Sequence, residues 1–296
     1  MELRQLKTFQ AVGKLLSFNR AAHSLNYAQS TVSVQIRSLE EELGVPLFDR
    51  LGKRVVLTEA GQALMRYSQK MIDIERETLS EVTGCTQTQG SLSLRIPQSL
   101  SMAWLPGILS KFRRHYPTVN FDINSCAYHS LVHELKSGIT DLAFLLTDTI
   151  NARDLECEVL GVAKLVIVAA PGHPLADRHS LDVHDLKEEA VILPKADCGY
   201  RMVFEQILLE EKVTPASIIE MNCVEAVKRC VTHGVGLTIL PQMSVAREID
   251  TQKLVVLPWG NTPMETGILM IWHKDKWISP VLQGFMDTVR SVTFGK

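Results

Sequence analysis

The stretch from Phe18 to Leu43, FNRAAHSLNYAQSTVSVQIRSLEEEL, holds the residues whose types and spacing suggest chemistry. At about 100° per residue, Val32, Ile36, Leu39 and Leu43 form one narrow apolar stripe, and Ser30, Ser33, Val34 and Arg37 gather on the other side. Gln29, Ser30, Thr31 and Ser33 are polar and short enough to reach base edges in a major groove, where Val34 would press on a thymine methyl and Arg37 would supply charge. The competing reading of the same side chains is a solvated face of an ordinary amphipathic helix.

Several elements must position that face. Ala21, Ala22 and Leu25 permit close approach of a preceding helix, and Asn26 tolerates the left-handed conformation that a tight turn needs, so the spacing predicts a helix-turn-helix. Leu3, Leu6, Phe9, Val12 and Leu16 predict a scaffold helix over residues 2–16. Gly44 ends the second helix of the motif and Pro46 blocks its resumption. Beyond Leu51, Val55 and Leu57 alternate as a strand, which makes the hairpin a wing. Arg50, Lys53 and Arg54 on that wing suit phosphate or minor-groove contact, with solvated loop charges as the alternative.

Thr58 is placed to cap a long helix, in which Ala60, Leu64, Tyr67, Met71 and Ile74 step by four, three, four and three. A lone helix cannot bury that seam. Residues 59–82 are therefore expected to pair with a second copy of the chain, favouring a near-palindromic duplex site, the alternative being a helix laid across its own body.

The run SFNRAAHSLNYAQSTVSVQIRSLEEELGVPLFDR, closed by LTEAGQAL, resembles the amino-terminal signature of the LysR-type transcriptional regulators. The resemblance extends over essentially the whole chain and loses specificity after residue 90. It implies a regulator of transcription, activator or repressor, whose linker helices form the dimer contact and whose dimers pair into tetramers through the regulatory domains. Its regulatory half would resemble periplasmic solute-binding proteins, with two lobes, a cleft and two crossing segments, here near Gly161 to Lys164 and Pro263 to Gly267. Members of the family often carry a long polar or basic residue where Val34 stands and a proline where Ser30 stands, so operator preference does not carry over.

Composition agrees with a globular α/β protein. With 296 residues, 46% hydrophobic and 22% charged, the chain is long enough for two or three domains. Its net charge of -2 argues against nucleic acid until the charge is located. In the first 58 residues Arg4, Lys7, Lys14, Arg20, Arg37, Arg50, Lys53 and Arg54 outnumber the acids, whereas the remainder is acidic. The amino terminus lacks an apolar leader and no stretch approaches bilayer length, so a cytoplasmic protein with no membrane partner is expected. Cys85, Cys126, Cys157, Cys198, Cys223 and Cys230 form no CxxC pair and read as free thiols.

The expected organisation is a winged helix-turn-helix domain over residues 1–58 and a dimerisation linker helix with hinge over 59–90, the hinge itself falling at 83–90. A two-lobed regulatory domain follows over 91–296, with lobe I about 91–162 and 267–296 and lobe II about 163–266. Strands and helices alternate from Leu92 onward, which predicts parallel or mixed sheets covered on both faces. In such sheets ligands bind beyond the carboxyl ends of strands, beside helix amino termini. That rule selects Pro97, Gln98, Ser99, Leu100 and Ser101, then Ala127, Tyr128 and His129, then Thr147, and from the other lobe Asp197, Cys198, Gly199, Tyr200, Arg201 and Cys223. The resemblance places small-molecule effectors, commonly carboxylates, at the same segments. Ser99 and Cys223 have an equal reading as capping or packing residues.

Other features carry less. His129 and His133 stand four apart, but no HExxH carboxylate follows and no metal is expected. Cys198, with Cys126 and Cys223, raises a thiol-based redox sensor as an alternative regulatory reading. HGVGLTILP lacks a third glycine, and Gly234 reads as a helix cap. No P-loop or GxSxG is present, so neither catalysis nor a cofactor is expected. A different class also fits: a soluble solute-binding protein with an accessory amino-terminal domain.

Overall fold

The computed structural model describes residues 1–51, 54–83, 90–125, 128–148, 150, 153–194, 199–260 and 264–292. The chain opens with three helices, α1 (Leu3–Leu15), α2 (Phe18–Ser24) and α3 (Gln29–Leu43). Glu2 and Gln5 close a capping box at the start of α1, and the Ser17 hydroxyl accepts from the Arg20 N–H at the start of α2. Asn26 takes the left-handed turn with φ 54°, and Gly44 ends α3 with φ 71°.

The hairpin β1 (Phe48–Leu51) and β2 (Arg54–Leu57) follows, in antiparallel register from Phe48 opposite Leu57 to Leu51 opposite Arg54. Phe48 anchors it to the helices, with ring centroids 5.3 Å from Phe9 and 5.7 Å from Phe18. The long helix α4 (Glu59–Thr83) then begins at Thr58, whose Oγ1 accepts from the Gly61 N–H at 3.0 Å and donates to the Pro46 carbonyl at 2.7 Å. A side chain at Gly61 would put its Cβ 2.1 Å from the Leu47 carbonyl oxygen, so glycine is what lets the helix start against the hairpin.

Leu6, Phe9, Val12, Val32, Ile36, Leu39, Met65 and Ile72 share one core, which fixes the first turns of α4 to the three-helix unit. The Gln10 amide reinforces this by donating to the Met65 carbonyl and Ser68 hydroxyl, both at 2.8 Å. Leu43, expected in the buried stripe of α3, is instead 39% exposed, as the last residue of the helix. The α4 seam also divides. Ala60 and Leu64 pack on the core, whereas Tyr67, Met71 and Ile74 stay exposed together with Leu79 and Val82. Another edge of α4 does meet the chain's own body, where Gln69 lies against Gly138.

Residues 84–89, most of the expected hinge, lie outside the described residues. The body starts with β3 (Ser91–Arg95), α5 (Gln98–Ala103), α6 (Leu105–Arg113), β4 (Asn120–Asn124), α7 (Tyr128–Lys136) and β5 (Leu142–Leu146). It continues through β6 (Leu155–Ala169), β7 (Ala190–Pro194), α8 (Gly199–Glu210), β8 (Ser217–Met221), α9 (Val224–Thr232) and β9 (Thr238–Pro241). The final elements are α10 (Gln242–Asp250), β10 (Val255–Val256), β11 (Glu265–His273) and α11 (Pro280–Arg290).

The sheets are mixed. In the first lobe β3 pairs in parallel with β4 and β5, and β11 runs antiparallel to β5 and β6. In the second lobe β7 and β8 are parallel, joined to Leu237 by a bridge at Val191, while the far end of β6 pairs with β9 and β10. Two strands thus pass between the lobes side by side, with Lys164 opposite Glu265 and Gly161 opposite Ile268. The expected crossings are a paired ladder; Pro263 lies outside the described residues. Every residue of β5 is buried, because Ala143 and Leu145 pack with α7 on one face while Leu142, Phe144 and Leu146 enter the main core on the other.

Replacing Thr58 with alanine should remove the α4 cap and lower stability by about 1 kcal/mol in urea unfolding. Gly61→Ala should cost more, since a backbone carbonyl rather than a flexible side chain stands in the way of its Cβ.

Candidate nucleic-acid interface and ligand cleft

The α3 helix sits in the amino-terminal unit with one side locked. Val32, Ile36 and Leu39 are fully buried, and Gln35 accepts a 2.6 Å hydrogen bond from the Thr8 hydroxyl of α1, itself buried. That polar pair sets the rotation of the helix. It escaped the sequence reading, although Gln35 lies beside Ile36 on the packed side.

The opposite side is open. Gln29, Ser30, Thr31 and Arg37 are exposed, Val34 is 66% exposed, and Ser33 is half-buried and accepts a 2.8 Å hydrogen bond from the Gln29 amide. Ala28 offers no side-chain cap, so the first turn of α3 has no side-chain partner from its own N-cap for its free N–H groups. The structure therefore brings together all six residues expected on this helix. Arg50 and Arg54 occupy the two strands of the hairpin, with Arg50 opposite Val55 and Arg54 opposite Leu51. Their side chains and the whole of Lys53 lie outside the described residues.

The second candidate site lies where the lobes face one another. Ser99 and Leu100 are buried in the short α5, and Ser101 is half-buried. Thr147, at the end of β5, is buried and donates its N–H to the Gly267 carbonyl of β11 at 2.9 Å. Gly199 starts α8 so close to β5 that a Cβ there would fall 1.8 Å from the Leu146 carbonyl oxygen. Tyr200 beside it is buried. Cys223 is exposed and forms the N-cap of α9 without a side-chain hydrogen bond.

Arg201 departs from its expected role as a free charge for a ligand. The side chain is buried and bound at 2.6 Å to Glu205, at 2.7 Å to Glu220 and at 2.6 Å to the Pro194 carbonyl. Burial acts against its charge, yet the hydrogen bonds it donates to Glu205 and Glu220 prevail and raise its pKa. Its positive charge is spent on joining α8 to β8. Tyr128 and His129 begin α7, with side chains outside the described residues, and Cys198 falls wholly outside them.

Of three further residues at this place, the sequence rule names Gln98 and misses the other two. Asp148 accepts from the Gly267 N–H at 2.9 Å, Gln98 accepts from the Val224 N–H at 2.9 Å, and Thr266 carries a buried hydroxyl with no partner among the described residues. Gln98 stood in the right loop, but no local signal announces a hydrogen bond to a residue 126 positions away.

Among the described residues no group of three or more histidines, cysteines or carboxylates is arranged to hold a metal, and no helix is long and apolar enough to cross a membrane. Cys157 and Cys223 are exposed free thiols and Cys230 is half-buried, so among the described residues no disulfide joins them.

Comparison with known proteins assigns both halves. Residues 3–62 match the family of bacterial regulatory helix-turn-helix proteins, lysR family, and residues 86–293 match the LysR substrate binding domain. The chain is 36% identical to the uncharacterised HTH-type transcriptional regulator YwqM of Bacillus subtilis (strain 168), covering 98% of this chain and 99% of that one. It is 32% identical to the RuBisCO operon transcriptional regulator of Allochromatium vinosum, over 98% and 96% of the two chains. Its fold is similar to that of a full-length OxyR variant from Pseudomonas aeruginosa, with a TM-score of 0.77, 20% identity and coverage of 98% and 95%. With a matching head, a matching two-lobed body and relatives aligned end to end, this chain belongs to the LysR family of transcriptional regulators.

Proposed function

We propose that the protein binds operator DNA as a dimer through the open side of α3 and is controlled by a small molecule held between the lobes. The observation that carries this reading is the two-sidedness of α3: Val32, Ile36 and Leu39 have no exposure, whereas Val34 is 66% exposed amid Gln29, Ser30, Thr31 and Arg37. A helix held that firmly presents its polar side chains in fixed order, which base readout demands. Arg50, Lys53 and Arg54 on the hairpin supply the sequence-independent attraction to phosphate.

The division of labour follows the chain. Residues 1–58 bind DNA, 59–90 dimerise and connect, and 91–296 sense the effector, with lobe I about 91–162 and 267–296 and lobe II about 163–266. Exposed Tyr67, Met71, Ile74, Leu79 and Val82 on α4 support pairing with the same helix of a second copy, which sets two α3 helices on one duplex. Contacts between regulatory domains then make tetramers. The effector meets Ser99, Leu100, Ser101, Thr147, Gly199 and Tyr200, joined by Tyr128, His129, Cys198 and Cys223, and Arg201 acts by holding α8 in place. With the Arg201 charge paired by Glu205 and Glu220, a carboxylate effector depends chiefly on N–H groups and hydroxyls. The setting is the cytoplasm, and the role is regulatory rather than catalytic.

One observation favours a second reading, thiol-based sensing: Cys223 is an exposed thiol at the head of α9. Cys223→Ser would then abolish a response to oxidant, and an unchanged response removes this alternative.

DNA binding is tested by fluorescence anisotropy on an operator selected from genomic fragments. Arg37→Ala should weaken specific binding by about 1–3 kcal/mol and leave non-specific binding nearly unchanged, whereas Lys53→Ala should weaken both and reduce the salt slope by about 1. Retention of full operator affinity by the Arg37 variant would remove α3 as the reading element. Ile74→Glu should shift the protein from dimer to monomer in sedimentation and lower operator affinity, since a charge in an apolar helix seam goes unpaired.

A further inference from the structure

The α9 helix has an unusual cap. Its N-cap residue, Cys223, contributes no side-chain hydrogen bond, and the Val224 N–H instead donates to Oε1 of Gln98 at 2.9 Å. Gln98 opens α5, directly after β3 in the first lobe, whereas α9 packs on β7 and β8 in the second. The hydrogen bond therefore spans the cleft, and an amide from one lobe satisfies the first free N–H of a helix in the other. The carboxylate nearest to it in sequence, Glu225, is engaged by Lys228 at 3.0 Å and Arg229 at 3.3 Å, so α9 does not cap itself with that group.

The neighbourhood bears a matching cost. Ser99, the residue after Gln98, has a hydroxyl that is buried without a hydrogen-bond partner among the described residues, and so does Thr266 on the crossing strand β11. Burying two hydroxyls without partners is unfavourable, and a defined polar contact beside them offsets part of that cost.

We propose that Gln98 is a latch between the two lobes, its amide oxygen occupying the amino terminus of α9. The latch deepens the reading of the cleft as the effector site and rests on it for its regulatory meaning. A ligand would act by binding the latched and unlatched arrangements with different affinity. Gln98 is a positioning residue, and its effect is on the equilibrium between arrangements.

Hydrogen exchange of the full-length, ligand-free protein tests this directly at the Val224 amide. Gln98→Met keeps the length of the side chain but loses the acceptor, and should speed exchange at Val224 roughly tenfold. Gln98→Glu supplies a charged acceptor that suits a helix amino terminus, and should keep exchange at or below the unsubstituted rate. A packing role alone would make both variants exchange faster. Unchanged exchange in the methionine variant, or equal acceleration in both, would overturn the latch. The effector reading fails by a separate measurement, if a panel of small carboxylates and phosphate esters shifts neither the thermal midpoint nor operator binding.

Discussion

The seating of α3 on α1 is the constraint from which the rest of the amino-terminal half follows. Three apolar side chains without exposure and one buried hydrogen bond, Thr8 to Gln35, leave the helix a single rotation about its axis. A turn of one residue, about 100°, would carry Ile36 into the exposed position of Arg37 and Ser38 into the buried position of Leu39, exposing apolar surface and burying a hydroxyl. Because Met65 and Ile72 of α4 enter the same core, the direction of the long helix is tied to that rotation as well. The orientation of whatever pairs with α4 is thereby coupled to the side chains that meet DNA.

Much of this was readable from residue spacing, and the reasons are local. Gly44, Asn26 and Thr58 announce their turns and cap through backbone chemistry that needs no distant partner, and the observed bounds of α1, α3 and α4 lie within a residue or so of those the pattern implies. The body was less legible. Strand β6 shows why: only its second half, Leu165 to Ala169, is a continuous apolar run, whereas its first half, with Glu156 and Glu158, is partly solvated and carries no such signal. Helix α10 went unnoticed after Pro241, which reads as a stop but caps the new helix. Arg201 and Gln98 show the limit most clearly: a charge looks available, and an amide looks idle, until the chain brings Glu220 or Val224 beside it.

The two halves use glycine differently from a flexible linker. At Gly61 and Gly199 the missing side chain serves close approach: the backbone there comes within van der Waals distance of a carbonyl from another element. One joins the wing to the long helix, the other joins α8 to the end of β5. Both are places where the two ends of a contact belong to units with different tasks, and a methyl group would push those units apart.

The crossing ladder of β6 and β11 gives the body its mechanical character. Two neighbouring strands, hydrogen-bonded from Leu155 opposite His273 to Lys164 opposite Glu265, carry the chain from one lobe to the other and back. Paired backbone of this kind resists stretching and shearing yet yields to twist, since strands in a sheet already turn about one another. The ribbon thus favours rotation of one lobe against the other over their separation, with a register shift between Ile268 and Leu269 interrupting the ladder along its length.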